Sequence, residues 1–264
     1  MTADDGRRAV SEVLVLAYHA VSAEWRADLS ITPQKLEWQL RSLTRRGYRG
    51  ATVHEAVCRP AAEKTVAVTF DDGYRSVLTL GFPILRRYGI PGTVFVPTDF
   101  MGAAEPMRWP GIDHWLDGRH DPELLPLTWS ELAELAASGW EVGSHTRSHP
   151  RLTQVDDASL EAELRESRQV CERELRRPCR SLAYPYGDHD PRVVAAARAA
   201  GYDVACTLPE KFSAGDRLRT PRAGIYHRDS DLVFRIKTSP WTTRGRRSRA
   251  WRPVSRAVRR ARGR

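Results

Sequence analysis

Two short constellations carry side chains able to do hydrolytic chemistry. The first is Thr69-Phe70-Asp71-Asp72-Gly73-Tyr74, directly after the apolar run Val66-Ala67-Val68. Two adjacent carboxylates at the end of a buried strand are costly to hold unless a metal, a cation or hydrogen-bond donors partner them. Successive strand residues face opposite sides, so one Asp can hold a metal while its neighbour turns toward the water on that metal. Taken alone, Asp-Asp-Gly is more often a plain turn.

The second constellation is Gly143-Ser144-His145-Thr146-Arg147-Ser148-His149-Pro150. Histidines at i and i+4 face the same way across one helical turn or a tight loop, a spacing that chelates a single divalent ion. With one carboxylate they make a two-His, one-carboxylate site with positions open for water and substrate. A zincin protease helix shares the spacing but needs Glu after the first His, and position 146 is Thr. The conjunction of the two constellations, each just past a strand candidate, points to a metal site.

The elements that must position these residues alternate in the rhythm of a parallel sheet with crossover helices. Short β-rich apolar runs fall at Val13–Tyr18, Val66–Phe70, Thr93–Val96, Glu141–Gly143, Leu182–Tyr184, Val204–Thr207 and Ala223–Tyr226. Helical patterns occupy Pro33–Arg46, Arg75–Tyr88, Trp129–Ser138, Ala158–Arg176 and Pro191–Ala200, and Thr32-Pro33 and Asp190-Pro191 place proline at a first helical turn. These units read as an α/β, single-domain, distorted (β/α)7-type barrel with a basic C-terminal tail. The domain spans residues 11–243, between a short extension at 1–10 and an Arg-rich tail at 244–264. Gly102–Glu123, with Trp109 and Trp115, reads as a long surface excursion near one end of the barrel, where binding loops lie.

Composition excludes several classes. At 264 residues and 41% hydrophobic the chain can bury a sizeable core. Cys58, Cys171, Cys179 and Cys206 lack Cys-x-x-Cys spacing, so neither a zinc knuckle nor a disulfide framework is suggested, and reduced, buried thiols are expected. The net charge of +9 is misleading: residues 244–264 hold ten Arg and no acid, and removing those ten leaves the remainder at −1. No nucleic-acid partner is expected, since the body has no basic excess and the tail has few aromatics for stacking.

Thr69–Tyr74, His145–His149 and Tyr184-Pro185-Tyr186-Gly187 resemble the first three motifs, in order, of the NodB-like polysaccharide deacetylases, carbohydrate esterase family four. Leu16-Ala17-Tyr18-His19-Ala20-Val21, Leu127-Thr128-Trp129 and Arg219-Thr220-Pro221-Arg222 are familial too, so the likeness runs from about residue 11 to 238. The resemblance implies that Asp72, His145 and His149 hold a divalent ion, usually zinc, with Asp71 as general base. A bound zinc lowers the pKa of its water toward about 7, and Asp71 beside it can take the proton as the water attacks an acetamide carbonyl. The oxyanion would lean on the metal and, by resemblance, on the backbone N–H of Tyr186.

This chain departs from the family pattern in two places. The late Leu-x-x-His that usually supplies the general acid is not found in its usual form. Tyr18-His19 instead resembles the subgroup acting on poly-N-acetylglucosamine, whose motifs are circularly rearranged, so His19 is the expected acid, with His227 next. Many members also carry Arg three residues before the third motif's Tyr to orient the base, where this chain has Ala183; Arg222 is the stand-in suggested here, or else a substrate contact. His189 follows Gly187 closely enough to line the site, while His54, His114 and His120 are expected in ordinary surface or loop roles.

The implied activity is removal of acetyl groups from N-acetylated sugars of a polysaccharide, a glycolipid or a lipid-linked sugar. The alternatives are an O-deacetylase or small-molecule amidase of the same fold, or an inactive carbohydrate-binding protein. No apolar run approaches the roughly 18 residues that span a bilayer, and the first eight residues lack a signal peptide's apolar core. A cytoplasmic protein peripheral to the inner membrane face is the expectation. Trp251, Val254 and Val258 lie at i, i+3 and i+7 among the tail's arginines, a stripe suited to an anionic membrane surface. Deleting residues 244–264 is expected to weaken binding to anionic vesicles in a flotation assay; unchanged binding would dismiss the tail as a tether.

Overall fold

The computed structural model describes residues 12–59, 64–208 and 216–240, so expectations for the Arg-rich tail lie outside the described residues. Eleven strands are present: β1 (Val13–Tyr18), β2 (Ala20–Val21), β3 (Ser30–Ile31), β4 (Arg49–Gly50), β5 (Thr65–Phe70), β6 (Gly92–Val96), β7 (Glu141–Ser144), β8 (Ser181–Ala183), β9 (Val204–Thr207), β10 (Thr220–Pro221) and β11 (Ala223–Gly224). The helices are α1 (Pro33–Arg45), α2 (Val53–Cys58), α3 (Phe82–Arg87), α4 (Trp129–Ala137), α5 (Asp157–Leu175), α6 (Pro191–Ala199) and α7 (Asp231–Lys237). The main sheet runs β10-β9-β8-β7-β6-β5-β1-β11, with β4 also on β5, and every pairing is parallel. This is the expected (β/α)-type barrel, nearly closed and with helices outside.

One residue makes the closure. β10 pairs with β9 at one edge and β11 with β1 at the other, and only Arg222 separates them in the chain. The Arg222 N–H donates to the Thr207 carbonyl (3.1 Å) and the Ile225 N–H to that of Ala17 (2.9 Å), stitching the seam from both sides. The single strand expected at Ala223–Tyr226 is therefore corrected to two stubs, because the chain must step from one sheet edge to the other.

The period-two alternation of the strands divides the core. Leu14, Leu16 and Tyr18 of β1 and Val66, Val68 and Phe70 of β5 face the helices, whereas Val15, Ala67, Phe95, Ala183, Val204 and Cys206 face inward with Val53 and Ala56 of α2. The inward positions are mostly small, which leaves room for polar groups nearer the strands' C-terminal ends. The same alternation sends His19 and Asp71 inward, an even step beyond Val15 and Ala67, and His145 too, two residues beyond Gly143, which abuts inward-facing Phe95.

Local signals explain the helix starts. Thr32, Thr128 and Asp190 each accept a backbone N–H at the expected N-terminus, and Thr128 forms a capping box with Glu131. The long helix expected over Arg75–Tyr88 is instead a π-type turn at Val77–Gly81 followed by α3. Pro83 accounts for the break, because it has no N–H to continue the ladder. The four cysteines are free, and three of them are buried.

Gly143 tests this packing. A Cβ there would meet the Phe95 ring at 2.6 Å and the Ser181 carbonyl oxygen at 2.8 Å, whereas one at Gly118 would meet nothing within 4 Å. Gly143→Ala is expected to cost about 1–3 kcal/mol and lower the thermal midpoint, with Gly118→Ala nearly neutral in the same melting experiment.

Candidate active site

At the C-terminal end of the barrel the two constellations come together. Asp71 and Asp72 follow β5, His145 follows β7, and His149 follows on the same loop; Asp71, Asp72, His145 and His149 are all buried. The Nε2 atoms of His145 and His149 each lie 3.4 Å from Asp72 Oδ1. His145 Nδ1 is 2.8 Å from the Ala183 carbonyl oxygen, an orientation that turns Nε2 toward Asp72. The histidines sit on a tight loop, not on a helix.

The two carboxylates have different surroundings. Arg222, fully buried, donates from Nη1 to Asp71 Oδ1 (2.6 Å) and from Nη2 to Asp71 Oδ2 (2.7 Å), a bidentate pair, and also donates to the Thr69 hydroxyl (2.9 Å). Burial alone would raise the Asp71 carboxyl, yet Arg222, with His145 and His19 behind it, holds it below the usual carboxylate range. Arg222 is therefore corrected from a substrate contact to a group that positions Asp71. It supplies the cation that Ala183 cannot.

Asp72 has no such partner. Its Oδ1 is buried without a hydrogen bond, and burial's opposition to its charge is overcome chiefly by His145 and His149. Two buried carboxylates face one guanidinium, so Asp72 must draw its compensating positive charge from the imidazole side, from a proton on His145 or from a bound cation. Burial pushes His149 down to about 3, the neutral form that can ligate, while burial of His145 is outweighed by Asp72 and Asp71, which hold it above the ordinary imidazole value. A tetrahedral ion with bonds of about 2.1 Å places neighbouring ligand atoms about 3.4 Å apart, which matches the Asp72-to-imidazole spacing. Charge, orphaned oxygen and spacing all fit a divalent cation at Asp72, His145 and His149, the one such group of side chains among the described residues.

His19, following β1, is brought to this site: its Nε2 is 4.0 Å from Asp71 Oδ2. Tyr186 also joins it, its ring centroid 4.8 Å from that of His149 and its backbone left-handed (φ 59°, ψ 7°). Neither His227 nor His189 makes an ion pair or a hydrogen bond to Asp71 or Asp72 among the described residues. The His227 N–H donates to the Asp28 carbonyl (3.1 Å) and its own carbonyl accepts from Lys35 Nζ (2.8 Å). His189 stacks on Tyr184, with Nδ1 2.9 Å from the Gly187 carbonyl.

Two contributions go beyond the sequence reading, which places the 102–123 excursion near the barrel's end but on its surface and says nothing of Glu163. Trp109 of the 102–123 excursion is buried with its ring centroid 4.5 Å from that of His149, and the Tyr186 hydroxyl donates to the Pro110 carbonyl (3.0 Å), so the excursion is part of the site's wall. Glu163 of α5 accepts from the Arg147 N–H (2.8 Å), the Ser148 N–H (2.9 Å) and the Ser148 hydroxyl (2.6 Å). It clamps a loop in which Thr146 (φ 69°) and His149 (φ 63°) are left-handed. Glu163 lies in the helix after the His motif, and its only sequence signal is an acid on a face otherwise suited to the core.

Residues 59–205 match the family model described as polysaccharide deacetylase, and this chain belongs to that family, whose members are hydrolases of non-peptide carbon–nitrogen bonds. It is 25% identical over 231 residues to the Bacillus subtilis protein YxkH, covering 86% of this chain and 71% of that one. It is 22% identical over 207 residues to the poly-beta-1,6-N-acetyl-D-glucosamine N-deacetylase of Staphylococcus aureus, covering 74% of this chain and 66% of the relative. Among solved structures, the Streptococcus pyogenes deacetylase PplD superposes with a TM-score of 0.70 at 23% identity over 87% of this chain and 99% of that one, a likeness of fold.

Without Glu163 the strained loop loses the three bonds that hold His149 in place. Glu163→Ala is expected to weaken divalent-ion affinity by about 10–100-fold in a chelator-competition titration, with Glu163→Gln intermediate. An unchanged affinity for both variants would show that the loop holds itself.

Proposed function

We propose that this protein is a metal-dependent deacetylase of N-acetylated sugars in a polysaccharide or glycolipid. On this reading Asp72, His145 and His149 hold a divalent ion, zinc by preference, Asp71 is the general base and His19 the general acid. The observation that carries the reading is the division of labour between adjacent carboxylates: Asp71 is clamped by Arg222, while Asp72 offers an unpartnered oxygen 3.4 Å from two imidazoles. Two titratable groups driven into different roles by their environments are the mark of acid–base chemistry. The staphylococcal relative supports a poly-N-acetylglucosamine substrate.

When bound, the ion supplies Lewis acidity for the acetamide carbonyl and for a water beside it. Asp71 accepts a proton from that water as its oxygen bonds to the carbonyl carbon. The Arg222 fork holds both Asp71 oxygens, so the carboxylate stays ionised and keeps its orientation. The backbone N–H of Tyr186 supports the carbonyl oxygen as negative charge develops there. His19, 4.0 Å from Asp71 on the neighbouring strand, gives a proton to the sugar nitrogen as the C–N bond breaks. Acetate and a free amine result. Trp109, packed on His149, keeps that side of the ligand set dry.

The test is acetate release from oligomers of N-acetylglucosamine and from O-acetylated sugars, with metal stripped and restored. Activity on the N-acetyl substrates is expected to vanish on stripping and return with a divalent ion. Asp71→Asn and His19→Ala are each expected to lower kcat by about 10²–10⁴-fold with little change in KM, and His227→Ala to have little effect. Full turnover in His19→Ala with loss in His227→Ala would reverse the acid assignment, and release only from O-acetylated sugars would change the substrate class.

A further inference from the structure

Leu232 (67% exposed) and Ile236 (54%) stand out from the helix α7 while Phe234 between them is buried. At i and i+4 they lie on one face of the helix. Beside them a groove of about 530 Å³ is lined by Trp38, Arg41, Arg45 and Arg46 from α1 and its C-terminal cap, and by Arg235 from α7. Arg46 donates to the Thr238 hydroxyl (2.8 Å), tying the two helix ends together, and the Arg235 guanidinium lies over the Trp38 ring at 5.7 Å.

Among the described residues none of Arg41, Arg45, Arg46 or Arg235 has a carboxylate within ion-pair distance. The acids on these elements are otherwise placed: Glu37 pairs with Arg87, Asp229 with Lys237, and Asp231 occupies the first turn of α7. Pro240 lines the same groove, and a few residues further on the sequence enters the segment 244–264, with ten Arg and no acid. The surface is thus cationic, carries a protruding apolar pair, and is continuous in the chain with more cationic sequence.

We propose that the face formed by α1 and α7 docks onto an anionic lipid surface, its arginines on headgroup phosphates and Leu232 in the acyl boundary. A bilayer uses both halves of the face, since basic side chains favour anionic headgroups while the apolar pair finds hydrocarbon. A nucleic-acid backbone would use only the arginines. The aromatic ring in the groove, Trp38, is already covered by Arg235 and packed edge-on against Phe234 (5.9 Å). The basic end of α1 meets β4 where β5 begins, whereas the active-site residues follow the strands' far ends. Thirteen helical residues put those two ends on the order of 20 Å apart, so docking leaves the active site uncovered.

The experiment is co-sedimentation of the intact protein with vesicles of equimolar phosphatidylcholine and phosphatidylglycerol, against vesicles of phosphatidylcholine alone. Acetate release from a soluble oligomer is measured in parallel, so failure of docking and failure of the deacetylase reading are read separately. Salt-sensitive binding to the anionic vesicles alone is expected. A variant combining Arg41→Glu, Arg45→Glu and Arg235→Glu, and separately Leu232→Asp, should each lower the partition constant at least about tenfold while circular dichroism and acetate release stay at wild-type levels. Wild-type partitioning by both variants overturns the proposal. So does equal binding to both vesicle types, or binding of DNA with no binding of anionic vesicles.

Discussion

The bidentate ion pair between Arg222 and Asp71 holds this architecture together at its seam. Both partners are buried, so each ion has given up hydration worth several kcal/mol, which only close, doubly hydrogen-bonded geometry can offset. Arg222 is also the one residue between the stubs that close the barrel, and its backbone N–H bonds across that seam. Closing the barrel and fixing the Asp71 carboxylate are therefore one structural event. Phe95, whose ring lies 5.5 Å from the guanidinium carbon, gives the buried cation a polarisable wall, and small inward residues such as Ala67 and Ala183 give it space.

Once Arg222 is committed to Asp71, the rest of the site follows from charge and strain. The second carboxylate has no guanidinium of its own and faces two imidazoles, so its compensating positive charge comes from that side, as a proton on His145 or as a cation held between them. Four of the six non-glycine residues with positive φ among the described residues are Asp72, Thr146, His149 and Tyr186. Such backbones cost of order 1–3 kcal/mol each and persist only where surroundings over-determine them. Here the surroundings are identifiable: Glu163 holds the His loop from the helix side, and the Thr98 N–H donates to the Thr146 carbonyl (3.1 Å). Strain is concentrated on the residues whose direction matters most.

What was legible in the sequence was whatever has a periodic or adjacent signal. The strands Val13–Tyr18 and Val204–Thr207 were readable to the residue because their apolar runs are bounded by polar turns, and the pairings Asp71-Asp72 and His145/His149 because chelation imposes close spacing. The missing Arg at position 183 was legible as a vacancy and Arg222 as a candidate to fill it, but its function as the barrel's seam was not, since edge-to-edge closure leaves no local pattern. Helices α2 and α7 were unreadable at six and seven residues, too short to show periodicity. Trp109 and Glu163 act through contacts more than ten residues distant from their partners, which spacing cannot reveal.

Closure also makes the position of a motif along the chain a weak constraint on its place in the site. The matched family stretch ends at residue 205 and begins at 59, so both His19 and Arg222 lie outside it. In space they are neighbours of the site, because β1 sits beside β5 on one side and beside β11 on the other. A histidine following the first strand and one following the last therefore start from adjacent strand ends, and either can reach the same volume. Parity and the path after the strand bear on which of them comes near Asp71. His19 is an even step beyond inward-facing Val15 and lies 4.0 Å from Asp71, whereas His227 makes no ion pair or hydrogen bond to Asp71 or Asp72 and bonds the Asp28 carbonyl through its backbone N–H. A parallel barrel is indifferent to where its sequence starts, so the proton donor we propose at His19 needs no change of fold to replace one from the chain's end.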